Sequence, residues 1–438
     1  RGNGAAAAAG PSPSSSLSSA WHRPTSHPTG RPTTNSPTAT AAPTADRGAD
    51  FSALSALYVA TGGGAGNWTS AGGWLIGQPC TNSWYGVECN IRGEVTDIVF
   101  QESVFQESNG LRGTLPSQLG GLLNLTGALA LTSQSLVGTI PTQIGRLSAL
   151  EGEFDLSSNR LTGAIPTQIG QLSRLHQTFL LHSNDLSGTL PSQLGRLSTA
   201  RQLFAFENSI AGTVPSEIGT LTHLTQLCLQ SNRLQGSLPS QIGAVGGGVG
   251  INRATLRPQK LPLHDLVISD NRLDSELPRS LCNQTALRHF SASNNRFSGR
   301  VPPCRFPNVE VFDVASNRLT GPLPRVEGWG QVSYLLLHDN SFTGGVASLA
   351  LNGSVLSAGK QPDPYTDDYY HSLQSYLGGN LVGLTLHQNR LDEALPEDLA
   401  LPPSLEYFTV SNNLIPGRVP RRLLSLLNSS RGHAAWEP

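Results

Sequence analysis

Methionine is absent from all 438 residues, and lysine occurs only at Lys260 and Lys360. Arginine is plentiful, so both scarcities read as coding bias. Charge is sparse and balanced: Lys and Arg total 29 against 30 Asp and Glu, a net of −1. No global field therefore favours nucleic acid or an anionic membrane surface. No run approaches the roughly eighteen apolar residues of a membrane span. The chain starts at Arg1, and Ala5 to Ala9 is too short for a signal peptide; a fragment or processed product is expected. Protein-kinase signatures are missing as well: there is no Gly-rich phosphate loop, no V-A-I-K, no H-R-D and no D-F-G. No cofactor and no metal are expected.

What is present is a period. Leu224 to Leu238 reads L-T-Q-L-C-L-Q-S-N-R-L-Q-G-S-L and runs into Pro239-Ser240-Gln241-Ile242-Gly243. The pattern L-x-x-L-x-L-x-x-N-x-L-x-G-x-I/L/V-P returns with its Asn position at Asn109, Gln134, Asn159, Asn184, Asn208, Asn232, Asn271, Asn295, Asn317, Asn340, Asn389 and Asn413, twelve copies usually 24 or 25 residues apart. This is a leucine-rich repeat array. Leu227 and Leu229 alternate as in a short strand, which cannot bury its apolar face alone. The amide of Asn232 can satisfy backbone groups of its own coil and of the next, so stacking closes the hydrogen-bond account. Gly236 permits a tight path, and the residues after Pro239 leave room for a helical turn or two on the outer face. The fold class expected is α/β: a curved solenoid with one inner parallel sheet, short outer 3-10 turns and a helical, disulfide-bonded N-terminal cap.

Residues 1–49, rich in Ala, Ser, Thr and Pro, are expected to be disordered, either an O-glycosylated stalk or an inert linker. Residues 50–94 form the cap: Phe51, Leu54, Leu57 and Tyr58 share one helical face behind a capping Asp50, and Thr61-Gly62-Gly63-Gly64 ends the helix. Trp68, Trp74, Trp84 and a Cys80–Cys89 bridge then cover the open end of the apolar ribbon. Repeats fill 95–427, and 428–438 is a tail. The first copy carries a tandem V-F-Q-E-S duplication from Val99 to Ser108, one half of which should bulge out. Two interruptions stretch the period, to 39 residues between Asn232 and Asn271 and to 49 between Asn340 and Asn389. Residues 244–260, with three consecutive glycines, are expected to loop out flexibly. Residues 350–380 hold Asp363, Tyr365, Asp367, Asp368, Tyr369 and Tyr370; a docking loop, a solvated loop and a calcium site all remain open. Leu423, Leu424, Leu426 and Leu427 suggest a short covering helix.

The cap ending in Trp84, Gly86, Val87 and Cys89, followed by L-x-G-x-I-P repeats, resembles the plant-type leucine-rich repeat ectodomains over roughly residues 50 to 425. That family includes receptor-like kinases, receptor-like proteins and polygalacturonase-inhibiting proteins. The resemblance implies a surface that binds a peptide, glycan or protein, with any catalysis on a separate domain. The L-C-N segment at Leu281-Cys282-Asn283 and the closing Cys304 also resemble the family, which implies a Cys282–Cys304 bridge. Cys228 stays unpaired, as a packed small residue or a reactive thiol. The two pairings and five N-x-S/T sequons, at Asn67, Asn124, Asn283, Asn352 and Asn428, point to a secreted or cell-surface setting.

Variable strand positions line the inner face, where such arrays bind. Phe204, Phe206 and the neighbouring Leu180 are expected to form an exposed apolar cluster at the centre of a site, unless a loop or glycan covers it. His182, Gln226, Tyr334 and His338 complete that face. His264, Asp265 and His289 sit on adjacent strands, either as a metal or acid–base set or, more simply, as solvated polar positions. Arg272, Arg296 and Arg318 follow the ladder Asn in successive copies, a basic stripe suited to anionic polysaccharide or a product of arginine-rich coding. The function expected is non-catalytic extracellular recognition of a peptide or protein partner. The alternatives are a matrix or inhibitor-type protein that binds anionic polysaccharide or a secreted enzyme, and the ectodomain of a receptor-like kinase whose catalytic domain lies elsewhere.

Overall fold

The computed structural model describes residues 47–100, 108–252, 257–329, 331–349, 381–397, 399 and 405–421. The expectations placed on residues 1–46, on the second half of the duplicated step, on 350–380 and on Leu423 to Leu427 lie outside these residues. Everything described stacks into one solenoid around a thirteen-stranded sheet in which strand order follows chain order. The first strand, Val87–Cys89, is antiparallel to Val95–Val99, and every later neighbour pairs in parallel.

One coil explains the rest. In Thr178–Leu180 the alternate residue Phe179 points into the core with Leu181, and both are fully buried. The chain turns at Ser183, whose φ of 54° is left-handed, at a steric cost of about 1 kcal/mol for a residue with a side chain. Asn184 offsets that cost with four hydrogen bonds. Its Nδ2 donates to the carbonyls of Leu181 (3.2 Å) and His182 (3.2 Å) in its own coil and of Leu156 (3.0 Å) in the coil before, while its Oδ1 accepts from Leu161 N–H (2.9 Å). The amide thus reaches back to the preceding coil rather than forward to the next, which reverses the direction expected from sequence. The same bonds recur from Asn159 to Asn413. Gln134 keeps the bond from Leu111 N–H (3.1 Å). Asn109 has no earlier repeat behind it and pairs instead with the backbone of Ser70 in the cap.

Beyond the turn, the x-L-x-G segment does not merely pass through. It pairs with its neighbours into small flank sheets, one of four strands (Arg112–Thr114, Ser135–Thr139, Arg160–Ala164, Asp185–Ser187) and two of three. The one inner parallel sheet is as expected, and the flank sheets are additional to it. Gly188 leaves its flank strand at φ 75°, and a Cβ there would sit 3.0 Å from the Ala164 methyl, so only glycine fits. Pro191, extended at φ −70° and ψ 137°, then starts the 3-10 turn Ser192–Arg196, which buries Leu194.

The cap departs from expectation in one detail. Its helix runs Arg47–Ala60, so Asp50 lies inside the first turn rather than ahead of it. Its buried carboxylate instead accepts Val95 N–H (3.1 Å) and ties the helix to the sheet. Trp68 meets Trp74 edge to face and Trp74 meets Trp84 at a tilt, with centroids 4.7 and 4.8 Å apart, and each indole N–H finds a carbonyl. The Cys80–Cys89 disulfide (S–S 2.02 Å) closes this end, and Cys282–Cys304 (2.06 Å) joins adjacent coils. Cys228 is free and buried. The described part of the first interruption is extended and paired, contrary to the flexible loop expected: Gly246–Asn252 and Arg257–Pro262 are antiparallel strands. The coils on either side stay adjacent, since Leu234 N–H still reaches Asn271 Oδ1 (2.9 Å).

Replacing Asn184 by Ala should leave the Leu161 N–H buried without a partner, while the Leu156 carbonyl keeps its bond from Asn159 Nδ2, a loss of about 1–3 kcal/mol. Urea unfolding should show that loss, and hydrogen exchange should show faster exchange at Leu161; an unchanged midpoint would contradict the role given to the ladder.

Candidate functional site on the concave sheet

Parallel in-register pairing sorts the concave side chains into rows that cross the coils. One row runs Glu153, Thr178, Gln202, Gln226, Asp265, His289, Val311, Tyr334, Gly383 and Tyr407. Two residues along each strand, a second row runs Asp155, Leu180, Phe204, Cys228, Val267, Ser291, Asp313, Leu336, Thr385 and Thr409. The face divides into three zones of different chemistry.

The first zone is apolar and closed. Leu180, Phe204, Phe206, Cys228 and Val267 form a hydrophobic cluster separate from the core. The expected grouping is real, but the expected exposure is not: Phe204 is only 4% and Phe206 6% accessible. Side chains on strands about 4.8 Å apart cover one another, and His182 stacks flat on Phe206 with centroids 4.4 Å apart. Burial holds the His182 imidazole down to about 4, so it is neutral there. At the N-terminal border of the cluster, burial lifts Asp155 to about 7 despite hydrogen bonds from Ser157, and the charge of Glu153 adds to the lift.

The second zone is a polar chain across five coils. Gln202 donates to Gln226, whose Nε2 donates to Asp265 Oδ2 (2.5 Å), and Asp265 Oδ1 meets His289 Nδ1 at 2.6 Å. His289 Nε2 lies 3.6 Å from Glu310. Burial alone would lower His289, but its bonds to Asp265 and Glu310 outweigh that and raise it to about 9. Burial likewise works against the Asp265 carboxylate, and His289 and Gln226 overcome it, holding the group below its usual range. Both imidazole nitrogens are engaged within the chain, so neither is left to act on a substrate. His264 is half-buried on the strand-entry edge beside this network, and its charge also favours the Asp265 carboxylate. The described residues contain no grouping of three or more His, Cys, Asp or Glu able to hold a metal ion.

The third zone is aromatic and open. Tyr334 lies over Gly383, where a Cβ would come within 2.7 Å of the ring. His338 and His387 stack at 4.5 Å, and their Nδ1 atoms are each 2.7 Å from a threonine hydroxyl of the next coil, Thr385 and Thr409 respectively. Tyr407 is 45% accessible, and Leu336, Thr385 and Thr409 are half-exposed. Sequence reads His387 and Tyr407 as inner-face positions too, but names only Tyr334 and His338 as binding candidates. Their strand position is the signal, and the long second interruption hides that the coils touch.

Of the expected sequons, Asn67 and Asn283 are exposed and Asn124 is half-buried, while Asn352 and Asn428 lie outside the described residues. Arg272, Arg296 and Arg318 are all exposed on the flank, away from the concave face. No described helix is long and apolar enough to cross a membrane.

A family model described as Leucine Rich Repeat matches residues 153–172, the coil whose strand carries Glu153 and Asp155. The fold is a leucine-rich repeat solenoid. Receptor-like protein 53 of Arabidopsis thaliana is 36% identical over 151 residues, which are 34% of this leucine-rich repeat chain and 16% of that protein. Among solved structures, PEPR1 in its complex with AtPEP1 superposes with a TM-score of 0.64 at 22% identity, over 88% of this chain and 51% of that one. The ectodomain of the Arabidopsis receptor kinase HAESA, solved with an IDA peptide hormone, gives 0.56 at 24% identity over 87% and 60%. A TDR receptor gives 0.54 at 28% identity over 69% and 50%. This leucine-rich repeat chain thus resembles plant receptor ectodomains in fold and spans about half of their length in PEPR1 and TDR.

Two pH effects should follow, with opposite causes. The raised His289 contributes stability in full below about 6.5, and that contribution should fade as pH climbs to about 9. His289→Gln should remove this alkaline decline in the melting temperature. Asp155 is an acid with a raised value, so its penalty is absent below 3.8 and grows as pH rises through about 7. Asp155→Asn should therefore stabilise by at least about 1 kcal/mol at pH 8 and change little at pH 4; equal effects at both would refute the assignment.

Proposed function

We propose that this leucine-rich repeat chain is a non-catalytic, extracellular recognition module that holds a peptide or protein segment on the C-terminal half of its concave sheet. One observation carries the reading. Tyr334, His338, His387 and Tyr407 form an aromatic surface that is partly open, whereas the apolar zone before it is closed and the polar chain is satisfied within itself. Aromatic side chains of this kind bring large contact area and a hydrogen-bonding tip at low entropic cost. Thr385 and Thr409 fix the two imidazoles in advance, so little ordering remains to oppose binding.

Support also comes from the company the fold keeps. PEPR1 was solved with AtPEP1 and HAESA with an IDA peptide hormone, which gives a precedent for peptide recognition on such coils. Two disulfides suit an oxidising, extracellular setting. The saturated Asp265–His289–Glu310 set argues for a structural role there and against an acid–base one.

Peptides selected from a displayed library against the full chain should lose at least tenfold in affinity when Tyr334, His338, His387 and Tyr407 are all changed to Ala, about 1.4 kcal/mol or more. The outer-turn pair Gln143→Ala and Gln168→Ala should leave affinity unchanged. Selected peptides that bind the concave variant as well as the unmodified chain would sink the proposal.

A further inference from the structure

The flank opposite the strand-entry edge carries a second feature that peptide docking does not use. Arg233, Arg272, Arg296 and Arg318 each follow a ladder Asn, and all four are exposed. Sequence shows three of them in successive copies and sets Arg233 apart by the first interruption. The structure removes that gap. Ladder bonds run Ile210 N–H to Asn232, Leu234 N–H to Asn271, Leu273 N–H to Asn295 and Phe297 N–H to Asn317, so the four arginines sit on four consecutive coils.

The flank strands are offset by two residues per coil, with Arg272 opposite Gln235 and Arg318 opposite Ser298, so the four like charges step diagonally across consecutive coils and repel one another. Among the described residues none of the four guanidinium groups pairs with a carboxylate. The nearby Asp270 is tied to Asn294 (2.9 Å), and Asp274 and Glu276 belong to the seventh coil alone. A protein of net charge −1 thus maintains an uncompensated cationic ladder on one flank. We infer that this ladder binds a linear acidic polysaccharide whose uronate carboxylates meet successive guanidinium groups. Arginine suits the task, because its planar fork takes a carboxylate through two hydrogen bonds and its charge does not titrate. The flank favours a sugar polymer over a protein partner. Protein interfaces centre on buried aromatic or aliphatic anchors, and the large apolar side chains that are exposed among the described residues lie in the cap, in the first coils (Leu123, Val137) and in the last coil (Tyr407, Leu414), none of them on the four arginine coils.

The test uses the full chain with three probes: polygalacturonate, its fully methyl-esterified form and poly-L-glutamate. Polygalacturonate should bind, with affinity falling about tenfold or more between 50 and 200 mM salt. The neutral ester should not bind. Changing Arg233, Arg272, Arg296 and Arg318 to Gln should weaken binding at least tenfold without moving the melting temperature. A charge-matched control, Arg112, Arg146, Arg196 and Arg201 to Gln, should keep most of the affinity. Equal losses in the two variants would reduce the effect to net charge and overturn the inference. Poly-L-glutamate held as tightly as polygalacturonate would overturn it in favour of an acidic protein, and no binding to any probe would overturn it outright.

Discussion

The structure depends on a shared backbone account between neighbouring coils. Each turn buries amide groups that its own coil cannot satisfy, and a buried orphan costs about 1–3 kcal/mol. The ladder amide settles this by reaching back one coil, with Asn159, Asn184 and Asn208 making the same set of bonds. The left-handed residue before each amide, such as Ser158 at 54° or Asp270 at 54°, is the conformational cost of aiming it. Cost and gain recur together in every coil from Gln134 to Asn413. A coil is therefore stable only against its neighbour, and the array ends wherever the account is closed by something else. At Asn109 that something is the Ser70 backbone of the cap.

A ladder this strict decides where variation is tolerated. Residues that point into the seam are fixed by packing, as the full burial of Leu181, Leu203 and Leu229 shows. An insertion cannot enter a turn without breaking two coils' bonds, so the strand pair Gly246–Asn252 and Arg257–Pro262 leaves the solenoid between an outer turn and the next strand. Concave positions carry neither burden, and they differ most. The same register row holds Phe204, Asp313 and Thr385, three chemistries on one scaffold.

How much of this was legible follows from which interactions are local. The leucines, the ladder Asn and the Gly–Pro step repeat within about 25 residues, so the solenoid, its outer turns and the Cys80–Cys89 bridge could be read directly. The Cys282–Cys304 bridge came through family likeness. Sequence places Phe204 and Phe206 on the concave side, but exposure depends on what neighbours crowd them, and a period carries no information about crowding. Asp50 misled for a related reason. An acid at the start of a helical stretch reads as a cap, whereas its actual partner, Val95 N–H, lies 45 residues away. The interruptions concealed the rest: Arg233 beside Arg272 and His338 beside His387 are neighbours only once the intervening chain is set aside.

The two surfaces answer to different physics, and this bears on how one chain carries both. In the middle of the concave side, charge is neutralised internally, with His289 between Asp265 and Glu310, and the open groups beyond it include the aromatic and hydroxylic Tyr334, Tyr407, Thr385 and Thr409. Binding there draws on contact area and preorganisation, which salt affects little. The arginine flank has little to bury and relies on long-range charge, which salt weakens. Because the ladder amides separate the concave rows from the flank strands in every coil, substitutions on one side leave the backbone bonds of the other in place. The fold itself thereby lets affinity for a segment and affinity for a polymer vary independently.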